Sequence, residues 1–383
     1  MKTALFNLYW QLCQYPWYLL FNIGFSGFLY LLSLVVGPRL TAIFIKSRPD
    51  RTRPGAYFFD RLLASIVYTI ILGILAIIFI FQNGVLFALM GINYYYWFLF
   101  FPLHLILDSL INWIRVRRII PVNVVLGFGL AFIFILSSFY FPNRLITRRF
   151  SIPVNLLPSP VRIVHLSDIH CERYGQREVY LVARVNALKP DLIIITGDIF
   201  NTPWYYNTRG FEASIRFLKK LHAPDGIYAV TGHHDAQGGT EKLRESLGGH
   251  VRYLDHEWLR LNDQGYKLTF FGAIQGWHKY YPDTIDTTAG NYRIFIAHST
   301  AWIRHLRPGD FDLALFGHTH AGQIYLPVVT TMILGPYIHG WFRKNDTPFY
   351  VNAGIGMDGF LSPRVRWFTY PEIVVIDLIP EKK

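Results

Sequence analysis

The sequence predicts two unlike parts: an N-terminal α-helical transmembrane bundle of four helices and a C-terminal α/β domain. Three observations predict it. Uncharged runs of at least 20 residues cover 17–36, 62–81, 85–107 and 119–141. From residue 161 onward, short apolar runs alternate with amphipathic stretches. The charge is also unevenly divided: residues 1–150 hold 13 Lys/Arg against 3 Asp/Glu, ten of the chain's twelve excess positive charges.

Each long run suffices to cross about 30 Å of hydrocarbon at about 1.5 Å per residue. Soluble helices carry a charged face at 3.6-residue spacing, and these runs carry none. Asn93, Pro102 and His104 interrupt the third, and His104 and Asp108 stand one helical turn apart, with Asp108 expected at the membrane edge. The first run does not read as a signal peptide. Only Lys2 precedes it, no small-residue cleavage site follows, and Pro38-Arg39 stands where processing would fall, so it reads as a retained anchor.

Pro142, Pro153, Pro158 and Pro160 cluster with Arg144, Arg148 and Arg149. The expected organisation is a membrane domain over 1–141, a stiff basic linker over 142–160 and the α/β domain over 161–383. The net charge of +12 belongs to loops beside membrane segments, where it orients helices and meets anionic headgroups. The C-terminal part is nearly neutral, so nucleic-acid binding is not expected, and the lipid bilayer is the expected partner. Cys13 and Cys171 fall in different parts, which excludes a disulfide framework. With four crossings, Arg39, Lys46, Arg48, Arg51, Arg53, Arg61, Arg115, Arg117 and Arg118 share one side. Lys2, Arg144, Arg148 and Arg149 share the other, so the C-terminal domain is expected outside the cytoplasm. Oligomeric state is not legible.

In the second part the candidate strands are 161–166, 192–196, 227–231, 268–273, 293–297, 312–316, 349–353 and 373–378. Helical periodicity appears at 176–188, through Val179, Val182, Val185 and Leu188, and at 211–221, through Phe211, Ile215, Leu218 and Leu221. Strand–helix alternation indicates a layered α/β domain.

Five of these strands end in chemistry. VRIVHL runs into Ser167-Asp168-Ile169-His170, LIIIT into Gly197-Asp198, and IYAVT into Gly232-His233-His234-Asp235. RIFIA runs into His298, and DLALF into Gly317-His318-Thr319-His320. A lone His-x-His pair is more often two polar loop residues than a ligand pair, and in an extended segment both rings would face one point. Five Asp- or His-bearing strand ends are a different matter, because α/β sites form outside the carboxyl ends of strands. Asp168, His170, Asp198, His233, His298, His318 and His320 make seven candidate ligands, more than one ion uses. Two ions with a bridging carboxylate are implied. Mixed imidazole and carboxylate donors suit Mn, Fe, Zn or Co, and a paired centre suits phosphoester hydrolysis.

These blocks, in this order, resemble the calcineurin-like metallophosphoesterase superfamily over about 161–379. The spellings HLSDIH, TGD, GHTHAGQI and a late PEI at 371–373 are similar to its membrane-associated bacterial branch. The resemblance implies a two-sheet β-sandwich flanked by helices. It implies one ion held by Asp168, His170, Asp198 and His320, and a second by Asp198, His233, His298 and His318. It further implies a catalytic His234 held by Asp235, and hydrolysis of a phosphodiester, phosphomonoester or pyrophosphate by metal-activated hydroxide. Two positions depart from the pattern: His233 stands where the superfamily has Asn, and Asn201 where many members have Asp.

Weaker signals concern substrate and partners. Trp204, Trp277, Tyr281, Trp341 and Arg343 come from aromatic loops that either pack ordinarily or rim the cleft, and His339 and Arg343 are candidate phosphate or headgroup contacts. Cys171 is not expected to ligate, and His165 reads as a hydrogen-bonded core residue. Anchoring suggests a lipid-linked phosphorylated substrate. One alternative is a pyrophosphatase of a UDP-linked lipid A precursor. Another is a membrane transport or sensing protein with a degenerate metal-binding domain.

Overall fold

The computed structural model describes residues 24–32, 62–63, 65–67, 69–71, 92–155, 157–201, 208–236, 240–261, 267–273, 281–282, 285, 291–358 and 364–381. The chain divides into two compact units, Met1–Tyr140 with Gly359–Arg364, and Phe141–Asp358 with Val365–Lys383.

In the first unit, Ile92–Arg115 and Pro121–Tyr140 are the described helices long and apolar enough to cross a membrane. The former is α-helical at 92–95, passes through a π-helical turn at Tyr96–Phe100 and continues as α1, Phe101–Val116, which Arg117 ends in the left-handed conformation at φ 55°. Helix α2 spans Pro121–Ile135 and starts on a proline, whose missing N–H is one the first turn leaves unpaired anyway. The expected span 85–107 is corrected by this helix, which runs to Val116. Asp108 therefore lies inside α1, where its Oδ2 accepts from Asn123 Nδ2 of α2 at 2.8 Å. Other polar groups pair across helices in the same way: Ser26 Oγ donates to Ile92 O, and Tyr94 OH meets Ser137 Oγ at 2.6 Å. The expected spans 17–36 and 62–81 fall largely outside the described residues, which are helical at 24–32, 62–63, 65–67 and 69–71.

The second unit is built on two six-stranded mixed sheets. In chain order the strands are β1 Ile146–Val154, β2 Val161–Leu166, β3 Leu192–Ile195, β4 Ile227–Ala229, β5 Arg252–Tyr253 and β6 Glu257–Leu261. They continue with β7 Leu268–Ala273, β8 Tyr292–Ala297, β9 Leu313–Phe316, β10 Gly340–Lys344, β11 Thr347–Val351 and β12 Glu372–Pro380. One sheet has the order β1-β12-β2-β3-β4-β5, the other β10-β11-β9-β8-β7-β6. A shared core joins their inner faces, with Ile163, Ile194 and Val374 from the first sheet and Phe270, Ile294 and Leu315 from the second. Helices α3, Gln176–Ala187, α4, Thr208–Leu218, and α5, Thr240–Leu247, cover the outer face of the first sheet through Leu181, Val185, Phe217 and Leu243. Trp302 and Ile303 of a short 3₁₀ helix cover the second. These are the layers of a flanked two-sheet sandwich.

Two local expectations are corrected. The three-residue spacing of Val179, Val182 and Val185 is not the buried stripe of α3, because Leu181 and Val185 are buried while Val179 is exposed. Residues 142–160 are not only a stiff basic linker: they contain β1, paired in parallel with β12 from Ile146↔Glu372 to Val154↔Pro380. Because β1 is an edge strand, Pro153 can lack an N–H without breaking a ladder on its open side.

Candidate metal centre

Three of the functional strand ends, β2, β3 and β4, come from the parallel part of one sheet, and two, β8 and β9, from the parallel part of the other. The residues after them do not continue the strands. Asp168, His170, Asp198, His318 and His320 all take the left-handed conformation, with φ of 48°, 48°, 54°, 74° and 51°. Such geometry costs of order 1–3 kcal/mol per residue and persists only where surroundings enforce it. Here cross-strand bonds do so: Asp168 N donates to Gly197 O, His170 N to Asp198 O, and Gly317 N to His298 O, each at 3.0 Å. The two rings of the His-x-His pair consequently do not share one side. His320 turns toward Asp168, and His318 toward His298.

Two glycines make the approach feasible. A Cβ at Gly317 would enter the space of Ser167 Oγ and Asp168 Oδ2, and one at Gly232 would enter that of the Asp198 amide and carboxylate.

Three overlapping groups result, in each of which the donor atoms lie within 4.8 Å of one another: Asp168, His170 and His320; His170, Asp198 and His234; Asp198, His298 and His318. His170 Nε2 and His320 Nε2 stand 3.1 Å apart, and His320 Nε2 lies 3.3 Å from Asp168 Oδ1. His318 Nδ1 and His298 Nε2 are also 3.1 Å apart. Asp198 Oδ2 lies between the groups, 3.3 Å from His298 Nε2 and 3.9 Å from His170 Nε2.

This donor set fits metal ions. With metal–nitrogen bonds of about 2.0–2.1 Å, neighbouring nitrogens fall roughly 2.9 Å apart at a right angle and about 3.4 Å apart at a tetrahedral one, and both 3.1 Å pairs lie between. His298 Nδ1 is bonded to the Thr196 carbonyl at 2.7 Å, which fixes the ring and leaves Nε2 to ligate. The Nδ1 atoms of His170, His234 and His320 are buried without a hydrogen-bond partner among the described residues, the unspent polarity of rings gathered for another purpose.

Burial sets the charge of most of these rings. It pulls His170 well below the usual imidazole range and His320 below it, and the crowding of His318 by protein, although part of that residue is exposed, brings it down to about 4, so all three are neutral donors. His298 is the exception. Burial would lower it too, but the Asp198 carboxylate outweighs burial and draws it up to about 10. Burial likewise opposes the charge of Asp198, yet His298, His234 and His170 hold it well below the usual carboxylate range. For His234, Asp198 and Asp358 overcome burial and raise the ring.

The sequence pattern of calcineurin-like phosphoesterases matches residues 161–322. The chain is 30% identical over 252 residues to metallophosphoesterase YkuE of Bacillus subtilis, across 62% of this chain and 86% of that protein. This chain belongs to the calcineurin-like phosphoesterases. It is 28% identical over 240 residues to a metallophosphoesterase of Campylobacter jejuni, covering 59% of this chain and 61% of that one. It is 27% identical over 246 residues to a bovine transmembrane protein with a metallophosphoesterase domain, covering 54% and 52% respectively. The alignment thus spans under two thirds of these last two relatives. Membership makes the chain a metal-dependent phosphoester hydrolase.

Other residues of this phosphoesterase fall less evenly. His233 lies outside all three groups, exposed, its ring centre 6.3 Å from that of His318. Asp235 does not hold the His234 ring as expected. Its oxygens accept from the amides of Ile199 and Gly232, each at 3.0 Å, so it shapes the turn, and burial with the nearby Asp198 pushes it up to about 7. The His234 ring instead faces Asp358, at 3.8 Å. Asn201 donates to Glu172 at 2.6 Å. Tyr281 is buried with its hydroxyl on Asp310, and Trp341 packs on Phe150 and Tyr350, so both are packing residues rather than a rim. Trp204 and Trp277 lie outside the described residues. His339 bonds Glu372 at 3.0 Å, and Arg343 is exposed on β10. Cys171 is buried, and burial raises its thiol to about 12. His165 is a buried core residue bonded to Thr196 Oγ1 at 2.9 Å.

Three residues passed unnoticed in the sequence. Asp358 faces His234. Arg366, fully buried, donates to the carbonyls of Ala353, Gly354 and Gly356 at 2.9, 3.1 and 2.7 Å. Glu372 accepts from Arg148, Tyr350, His339 and the Ala353 amide. Only Glu372 left a trace, in the PEI segment.

Proposed function

We propose that the chain is a membrane-anchored dimetal phosphoesterase that hydrolyses a phosphodiester, phosphomonoester or pyrophosphate bond, with a lipid-linked molecule as substrate. The observation that carries the dimetal reading is Asp198 Oδ2 lying between the two imidazole pairs, 3.3 Å from His298 and 3.9 Å from His170. Asp168, His170, Asp198 and His320 would hold one ion. Asp198, His298, His318 and, from the rim, His233 would hold the other. Two divalent transition ions supply Lewis acidity toward a phosphoryl group and acidify nearby water.

The chain's own residues do the rest. Asp198 accepts the His234 amide at 2.8 Å, which fixes the turn that carries the His234 ring. That ring, raised toward the protonated form between Asp198 and Asp358, gives its Nε2 proton to the leaving oxygen as the P–O bond breaks. The oxygen of water joins phosphorus, and one water proton passes to solvent. Asp235 holds the loop below. The membrane part of the reading rests on the two apolar helices and the bovine relative, and the charge distribution supports an extracytoplasmic catalytic domain.

The test is metal analysis beside turnover of bis-p-nitrophenyl phosphate by the purified full chain. The unmodified protein should bind two ions and hydrolyse the diester, and Asp198→Ala should lose both ions and the activity. An Asp198→Ala protein that keeps two ions per chain would refute the bridging role.

A further inference from the structure

Residues 321–338 contain no Asp, Glu, Lys or Arg, although they begin directly after His320. The middle of this stretch forms α6, Pro327–Leu334, closed at its start by Leu326 N donating to Thr330 Oγ1 at 2.9 Å. A surface helix of a water-soluble domain puts polar residues outward. Here Val328 is 72% and Met332 80% exposed, and Leu326 and Leu334 are exposed beside them. Phe368, 64% exposed, and Tyr325 add aromatic surface.

The same two aromatics help line a cavity of about 390 Å³. Arg148, His339 and Tyr370 line it as well, and so do Ala321, which follows His320, and Ala353. One cavity therefore runs from the apolar surface to the neighbours of the first metal group.

Two observations say what covers that surface. Helix Pro121–Tyr140 is apolar enough to cross a membrane, and the residue after it, Phe141, packs on Trp367, Phe368 and Tyr370 at ring distances of 5.5, 5.8 and 5.3 Å. Two of those three rings line the cavity, so covalent connection keeps its rim within one residue of the membrane segment. The second observation is charge. The Arg144 guanidinium lies 5.5 Å over the Tyr370 ring, and Arg148 lines the cavity, placing cations beside an uncharged aliphatic surface. Apolar side chains flanked by cations and aromatics match the boundary between anionic headgroups and acyl chains.

We propose that α6, with Leu326 and Phe368, inserts into the bilayer interface, and that the adjoining cavity receives the phosphate-bearing headgroup of a membrane lipid. The headgroup half rests on the phosphoesterase reading; the insertion half does not.

The test uses the full chain in vesicles of phosphatidylethanolamine and phosphatidylglycerol. An environment-sensitive fluorophore is attached at Met332→Cys in a Cys13→Ser background, with Glu241→Cys, on the exposed side of α5, as control. The label at 332 should be quenched by nitroxide-bearing lipids and shielded from iodide, and the label at 241 should behave oppositely. Iodide quenching at 332 equal to that at 241 would overturn insertion. So would shielding from both quenchers with self-quenching between labels, which would place a second copy there. Separately, Val328→Glu with Met332→Glu should lower turnover of the vesicle phospholipids roughly tenfold or more, the scale of losing two buried apolar side chains. Turnover of bis-p-nitrophenyl phosphate should not change, and an equal fall on both substrates would overturn the headgroup assignment. The quenching result stands or falls even if neither substrate is turned over, so failure of the phosphoesterase reading is told apart.

Discussion

His170 Nε2 and His320 Nε2 stand 3.1 Å apart although 150 residues separate them in the chain. Two ring nitrogens at that distance share at most one proton, and a common ion resolves the conflict. The two imidazole pairs should therefore report on different ions. His320→Ala should retain about one ion per chain, held by the Asp198 side, and so should His318→Ala, held by the other. Elemental analysis showing both single variants empty, or both still carrying two ions, would argue against separate sites.

His234 should separate from the ligands by kinetics. His234→Ala should keep its ions and lose roughly 10²–10⁴-fold in rate, the usual worth of a general acid. The loss should be smallest for a p-nitrophenyl ester, whose leaving group needs no proton, and largest for an alkyl ester. A loss independent of the leaving group would assign His234 to metal binding.

Metal loading should release a proton. His298, drawn up to about 10 by Asp198 against burial, is charged at neutral pH until an ion displaces its proton. The already neutral His170, His318 and His320 release none. Apparent metal affinity should then rise about tenfold per pH unit between roughly pH 6 and 8. Calorimetry in buffers of different ionisation enthalpy would count the protons, and a pH-independent affinity would contradict the charge assigned to His298.

Arg366 should matter as support. Burial lowers its guanidinium to about 10, so it remains charged at neutrality and serves three carbonyls. Arg366→Met takes the guanidinium donor from the Ala353 and Gly356 carbonyls, while Gly354 O keeps the Glu372 amide, and should cost about 2–4 kcal/mol. It should also weaken the ion beside His320, because Ala353–Gly356 packs under Asp168 and His170. Arg366→Lys should recover part of the stability. Thermal unfolding with and without metal reads both effects, and an unchanged midpoint would dismiss the role.

The side of the membrane is open to fusion reporters placed after Lys383. Alkaline phosphatase should be active there and green fluorescent protein dark. The opposite pair would put the domain in the cytoplasm.

The strand ends were legible because each couples a short apolar run to an Asp or His, a pattern that survives without knowledge of pairing. Their conformation was not. Alternation along an extended chain gives His318 and His320 one side, and the left-handed turns divide them. The edge strand β1 was hidden by its own solvent exposure: Arg148, Arg149 and Pro153 read as linker because only one side of the strand is paired. Asp358 and Arg366 sit in irregular segments, where no periodicity points to them and only the folded contacts give them a task. The place of Val179 in that spacing misled for the opposite reason, since a three-residue rhythm drifts around a helix with 3.6 residues per turn and carries Val179 to the exposed side.

The pairing of β1 with β12 also bears on how the chain is made. Arg148 and its partner Glu372 are 224 residues apart, so the strand that follows the apolar helix waits for its neighbour through most of translation. At about 5–20 residues per second that wait is roughly 10–45 s. Throughout it, the edge of β1 that β12 will cover stays unpaired. Completion of the sheet is thus delayed until β12 clears the ribosome, an interval in which the open strand edge is prone to aggregation.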